Sequence, residues 1–115
     1  MQKLRFVFLV LLCSLCQPVL CQVYPNKPIR LVVPFPPGGI NDVLARIVGQ
    51  KLTENLGQVV VIDNRPGAGG TIGSSAVAKA APDGYTLLFG ATSTVAITPN
   101  LYASIPYDPL KDFFQ

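Results

Sequence analysis

The sixteen residues from Leu31 to Arg46 (Leu-Val-Val-Pro-Phe-Pro-Pro-Gly-Gly-Ile-Asn-Asp-Val-Leu-Ala-Arg) constrain the fold more than any other stretch. They read as a short β-rich run, a loop shaped by proline and glycine, then the start of an amphipathic helix. Pro34 ends the strand ladder because it has no N–H to donate. Pro36-Pro37-Gly38-Gly39 can neither extend a strand nor begin a helix. Asn41 or Asp42 is a natural N-cap. The helix that follows sets Val43, Leu44, Ile47, Val48, Leu52 and Leu56 on one stripe, and Gly57 closes it. A loop of this kind leaves backbone N–H groups free, with the positive end of a helix dipole behind them. That is a ready site for a small anion.

The rest of the chain repeats this grammar. Val59 to Asp63 is a continuous β-branched run, which suits a strand buried on both faces of a parallel sheet. A second glycine loop, Arg65 to Gly73, leads into an alanine-rich helix over Thr71–Ala81. Pro82-Asp83-Gly84 stops it as a turn. Thr86–Gly90 is a third strand, Ala91–Thr94 a polar loop at its carboxyl end, and Ala96–Tyr102 a short helix interrupted by Pro99. The order β-α-β-α-β with short connections predicts a layered α/β domain with a mostly parallel sheet. Ligands of such sheets sit beyond the carboxyl ends of the strands. The loops Phe35–Asn41, Asn64–Thr71 and Ala91–Thr94 all lie there, so they should converge on one edge and hold one anionic ligand. The candidate contacts are Phe35, Pro36, Gly38, Gly39, Asp42, Gly69, Gly70, Thr71, Ser93 and Thr94. Asp42 would face the cleft and accept bonds from a hydroxyl or ammonium group. Arg65 would brace the second loop.

Several chemistries are excluded or weakened. The first residues carry Lys3 and Arg5, an apolar run from Phe6 to Leu12, and a break at Pro18, the pattern of an export signal over residues 1–21. The run is short of the roughly 20 residues a membrane span needs, although an uncleaved anchor is the competing reading. All three cysteines, Cys13, Cys16 and Cys21, lie in that segment, and none follows the small residue a lipid-anchor motif wants. The mature chain, about 94 residues from Gln22 to Gln115, therefore has no cysteine, and the sequence has no histidine. Disulfides, thiolate metal sites and Ser-His or Cys-His catalysis are all absent from this stretch. Removing Lys3 and Arg5 brings the net charge from +3 to +1, without a basic stripe for nucleic acid. Gly67 to Gly73 resembles the dinucleotide fingerprint G-x-G-x-x-G, but the third glycine position holds Ile72. No Gly-Lys-Ser/Thr exists for a Walker loop. Nothing calls for a cofactor.

Longer blocks carry a sharper signal. Tyr24-Pro, Lys27-Pro-Ile-Arg-Leu-Val-Val-Pro-Phe-Pro-Pro-Gly-Gly39 and Asp42 with Ala45-Arg46 resemble the opening of the tripartite tricarboxylate transporter solute receptors, also called the Bug family. Asn64 to Gly73, Pro82 to Leu88, and Leu101-Tyr102 followed by Pro106 to Phe113 are similar to that family's later blocks, in order and across the mature chain. The resemblance implies a type II periplasmic-binding-protein-like fold, of which residues 22–115 would be the first lobe only. It implies a periplasmic receptor without catalytic activity. Such receptors capture tricarboxylates, dicarboxylates, acidic amino acids or aromatic acids, and deliver them to membrane permease subunits. It also implies that backbone N–H groups of two loops, matching Phe35–Asp42 and Gly69–Gly73, hold the ligand carboxylate. Val59 departs from the proline often found there, and Ile40 and Asn41 lie where members vary. The family continues beyond the equivalent of Gln115, so the opposing jaw of the cleft is expected outside this stretch. An enzyme acting on a small organic acid and a signalling receptor are the alternative readings.

Overall fold

A computed structural model describes residues 23–113; the proposed export signal lies outside them. Strand β1 spans Ile29–Val33, helix α1 Ile40–Leu56, β2 Val60–Asn64, helix α2 Thr71–Ala78 and β3 Thr86–Leu88. A single 3-10 turn, Ala68–Gly70, precedes α2. A π-helical turn, Ser93–Ile97, leads into the short helix α3, Thr98–Leu101. The three strands form one parallel sheet in the order β2-β1-β3. The expected β-α-β-α-β arrangement is therefore present.

Strand β1 is central, and its composition explains why. Ile29, Leu31, Val32 and Val33 are all buried, as a strand covered on both faces requires. Its register sets Leu31 opposite Ile62 on one side and opposite Leu87 on the other. The ladder continues past the strand ends, where the Arg65 and Phe89 amides donate to the Val33 and Val32 carbonyls at 2.8 Å each. These bonds fix the exits of β2 and β3 beside the exit of β1.

The chain crosses from β1 to β2, then back over β1 to β3. With right-handed crossovers this reversal puts α1 and α2 on opposite faces. Side-chain parity agrees. Leu31 and Val33 pack with Ala45 of α1, together with Phe35, Val60, Ile62, Leu87 and Phe89. Pro34, of the other parity, lies against Gly73 of α2.

Two expectations need correction. Strand β2 is an edge strand whose Val61 is exposed, so its β-branched run does not mark burial on both faces. Helix α1 meets the sheet through Asp42, Ala45 and Gly49, not through its large apolar stripe. A β-carbon at Gly49 would stand 3.0 Å from Ile62 Cδ1, so the helix is drawn in close by small residues. The hydroxyl of Thr53 donates to the Gly49 carbonyl at 2.8 Å and accepts from the Val60 amide at 3.0 Å, tying the helix end to β2. Val43, Leu44, Ile47 and Val48 are exposed. Gly57, left-handed at φ 68°, closes the helix as its sequence position suggests, with its N–H on the Thr53 carbonyl.

Candidate functional site

The first loop leaves β1 at Pro34, which is fully buried, and turns at Gly38, where φ is +82°. Gly39 is extended (φ −80°, ψ 170°) and caps α1 without any side-chain hydrogen bond. The helix is therefore capped two or three residues before the expected Asn41 or Asp42. The amides of Ile40, Asn41 and Asp42 open the helix and have no carbonyl partner within it. Phe35 turns its ring onto the core, while Pro36, Gly38 and Gly39 are exposed.

Asp42 does not face a cleft. Its side chain is buried, and both carboxylate oxygens are engaged inside the fold. Oδ2 accepts from the Gly38 amide at 2.9 Å and from Arg46 Nε at 3.0 Å. Oδ1 accepts from Asn64 Nδ2 at 2.9 Å, and the same amide nitrogen donates to the Phe35 carbonyl at 3.2 Å. Chiefly the Arg46 hydrogen bond, then those of Gly38 and Asn64, lower the Asp42 pKa to about 2. The expectation that Asp42 reaches the ligand fails because three internal groups, the Gly38 amide, Arg46 and Asn64, already claim it. The Gly38 amide, expected to be free for a ligand, is likewise spent on Asp42. Asn64 was missed as a site residue. Its signal was thin: an amide at the end of a β-branched run, able to donate to a backbone carbonyl.

The second loop is more strained. Gly67, Ala68, Gly69 and Gly70 are four consecutive residues with positive φ, at 129°, 46°, 65° and 91°. Glycine accepts this conformation readily, whereas Ala68 is a non-glycine residue held in it. Arg65 Nε pairs with Asp63 Oδ2 at 2.9 Å, so its side chain braces the end of β2, whereas the second glycine loop was expected. Thr71 Oγ1 donates to the Ala68 carbonyl at 2.9 Å, a local turn bond. Gly69 is exposed with open space around it.

The third segment is not a loop. Ser93 and Thr94 begin the π-helical turn, where Thr94 is fully buried and Ser93 half-buried. Thr94 Oγ1 donates to the Ala91 carbonyl at 2.9 Å and accepts from the Ala91 amide at 3.1 Å. Its methyl group, not its hydroxyl, faces the second loop.

The three segments do converge. A β-carbon on Gly73 would lie 2.9 Å from Pro34 Cα and 2.8 Å from the Arg65 carbonyl oxygen. One on Gly70 would lie 2.5 Å from Thr94 Cγ2 and 3.5 Å from Pro34 Cβ. Gly73 and Gly70 at the α2 start thus lie on Pro34, and Gly70 in turn meets Thr94 of the π turn, while Gly39 and Gly69 are exposed in the two loops. This arrangement can offer backbone amides and two helix starts to an anion. Among the described residues, no three of His, Cys, Asp or Glu are grouped to hold a metal ion. No helix among them is long and apolar enough to cross a membrane.

Comparison with known proteins gives a consistent answer. The model of the tripartite tricarboxylate transporter family receptor matches residues 44–115. Protein BugT of Bordetella pertussis is 50% identical over 100 residues, which are 86% of this chain and 31% of BugT. Among solved structures, a periplasmic transporter is 50% identical with a TM-score of 0.74, covering 76% of this chain and 30% of that one. MatC from Rhodopseudomonas palustris, with bound malate, is 40% identical with a TM-score of 0.74, covering 77% and 30%. An R. palustris protein with adipate is 44% identical with a TM-score of 0.72, covering 76% and 29%. The chain spans about a third of the length of these relatives.

Proposed function

Because the chain belongs to the tripartite tricarboxylate transporter receptor family, we propose that it forms part of the first lobe of a periplasmic receptor for a small organic carboxylate. In this reading residues 1–21 are an export signal, residues 22–115 belong to the lobe, and the second lobe lies outside this stretch. The family is one of solute receptors, not of enzymes. The ligand would be handed on to membrane permease subunits.

The observation that carries the proposal is the convergence of the three strand exits, with Gly73 and Gly70 lying against Pro34 and Gly70 against Thr94. That convergence supports a carboxylate seated over the start of α1 and the second loop. The donors would be backbone amides from Gly39 onward in the first loop and within Gly69–Gly73 in the second, other than those of Gly70 and Thr71, which already donate to the Gly67 and Ala68 carbonyls. Phe35, Pro36, Ser93 and Thr94 shape and support the seat. Similar proteins hold malate and adipate, so small dicarboxylates are the first ligands to try.

Thermal denaturation of the full-length protein with malate, adipate and a panel of other small carboxylates tests this. A ligand at 100 times its Kd adds about 2.7 kcal/mol of stability, which a melting curve resolves easily. A folded protein that no carboxylate stabilises would overturn the proposal.

A further inference from the structure

Two loops that hold one ligand must keep a fixed distance before it arrives, or binding spends part of its free energy ordering them. The first loop is held at its near end by the Phe35 ring on the core, while its far end is open. Its Gly38 sits at φ +82° in open space, and Pro36, Pro37 and Gly39 are exposed. What else holds it is Asp42 and Asn64. Asp42 takes the Gly38 amide from the loop's far end. Asn64 takes the Phe35 carbonyl from its near end and the Asp42 carboxylate together. Asn64 is also the last residue of β2, directly before Arg65, so the same side chain anchors the first loop to the root of the second.

From this geometry we propose that Asp42 and Asn64 form a clamp that pre-orders the first ligand loop against the root of the second. They are positioning residues and do not touch ligand. The inference rests on the carboxylate-receptor reading above. Arg46 completes the clamp by offsetting the Asp42 charge, which would otherwise stand beneath an anion at the start of α1. Asn64 is the cleaner residue to change, because removing its amide leaves every charge in place.

The test uses the full-length protein, malate and adipate as probes, and the variants Asn64→Ala and Asp42→Asn. Amide hydrogen exchange is followed over residues 35–39 and over β1, with and without probe. Pro36 and Pro37 carry no amide, so the readout in this stretch is chiefly the Gly38 amide, which in wild type should be protected by Asp42 already without probe. In Asn64→Ala it should exchange at least tenfold faster without probe and return to the wild-type rate with probe, while β1 is unchanged. The Kd should rise about tenfold, because only the ordered fraction of loops binds. Asp42→Asn should do the same, since an amide turned toward three donors cannot satisfy them all. An unchanged Kd in both variants, with wild type binding normally, overturns the clamp. Faster exchange throughout β1 overturns it too, by making the pair a general support of the fold. A wild type that binds no carboxylate overturns the receptor reading instead, and the probe-free exchange of residues 35–39 still reports whether Asn64 orders them.

Discussion

Thr94 occupies the space that a side chain at Gly70 would need. Its Cγ2 stands 2.5 Å from where a β-carbon would be, and Gly70 has φ +91°. Both effects oppose replacement. A left-handed backbone costs a non-glycine residue about 1–2 kcal/mol, and overpacking adds about 1–3 kcal/mol. Gly70→Ala should therefore lower unfolding stability by at least about 2 kcal/mol in urea titration. Thr94→Ser in that background keeps the hydroxyl bonds to Ala91 and removes the methyl group, so it should recover part of the loss. Additive losses in the double variant would show that the contact is not the cause.

Gly39 separates binding from folding. Its φ is −80°, ordinary for any residue, and a β-carbon would lie 3.6 Å from the Pro36 carbonyl oxygen. Gly39→Val should cost stability less than about 1 kcal/mol, yet place a branched side chain over the first amides of α1. Affinity for malate or adipate, whichever binds, should fall at least tenfold by titration calorimetry. Replacing Gly39 and replacing Gly70 thus look alike from the sequence and differ in the structure.

That contrast shows where the sequence was legible. Element order and boundaries were readable because Pro34, Gly57 and Pro82-Asp83-Gly84 punctuate them chemically. That the glycine loops share one edge was readable because strands of a parallel sheet all exit on the same side. The buried face of α1 was not readable. Hydrophobic periodicity found Val43, Leu44, Ile47 and Val48, which are exposed among the described residues, while contact with the sheet runs through Asp42, Ala45 and Gly49. Asp42 with Arg46 is visible as an i, i+4 pair. Its partner Asn64 lies 22 residues away, and only the fold brings it near. The hydroxyl of Thr94 drew attention, but its methyl group does the packing.

Acid should reveal the clamp. The folded-state pKa of Asp42, about 2, lies below its ordinary value of 3.8. A group depressed in this way adds stability above its ordinary pKa and loses it as pH falls toward the folded value. Urea midpoints should fall as pH drops from about 4 toward 2, and Asp42→Asn should flatten that slope. Asp83 and Asp108, whose carboxyls are also held below their usual range by hydrogen bonds to backbone amides and lysines, keep some slope in both proteins. The difference between wild type and variant therefore carries the Asp42 share. Parallel curves would place the Asp42 proton elsewhere.

The π turn explains a tyrosine. In this turn the Thr98 amide donates to the Ser93 carbonyl, five residues back. The next bond of that pattern would run from residue 99 to the Thr94 carbonyl, but Pro99 has no N–H. The Tyr107 hydroxyl donates to that carbonyl instead, at 2.6 Å, with Tyr107 buried against the Phe113 ring. Tyr107→Phe keeps the ring and removes the donor, leaving a buried carbonyl unpaired. Unfolding stability should drop by about 1–3 kcal/mol. Pro99→Ala supplies an N–H at the position the π pattern lacks. In the Tyr107→Phe background it should restore stability, whereas in wild type, where the carbonyl is already satisfied, it should gain nothing. Equal effects of Pro99→Ala in the two backgrounds, measured as a double-mutant cycle, would show that Tyr107 serves only as packing.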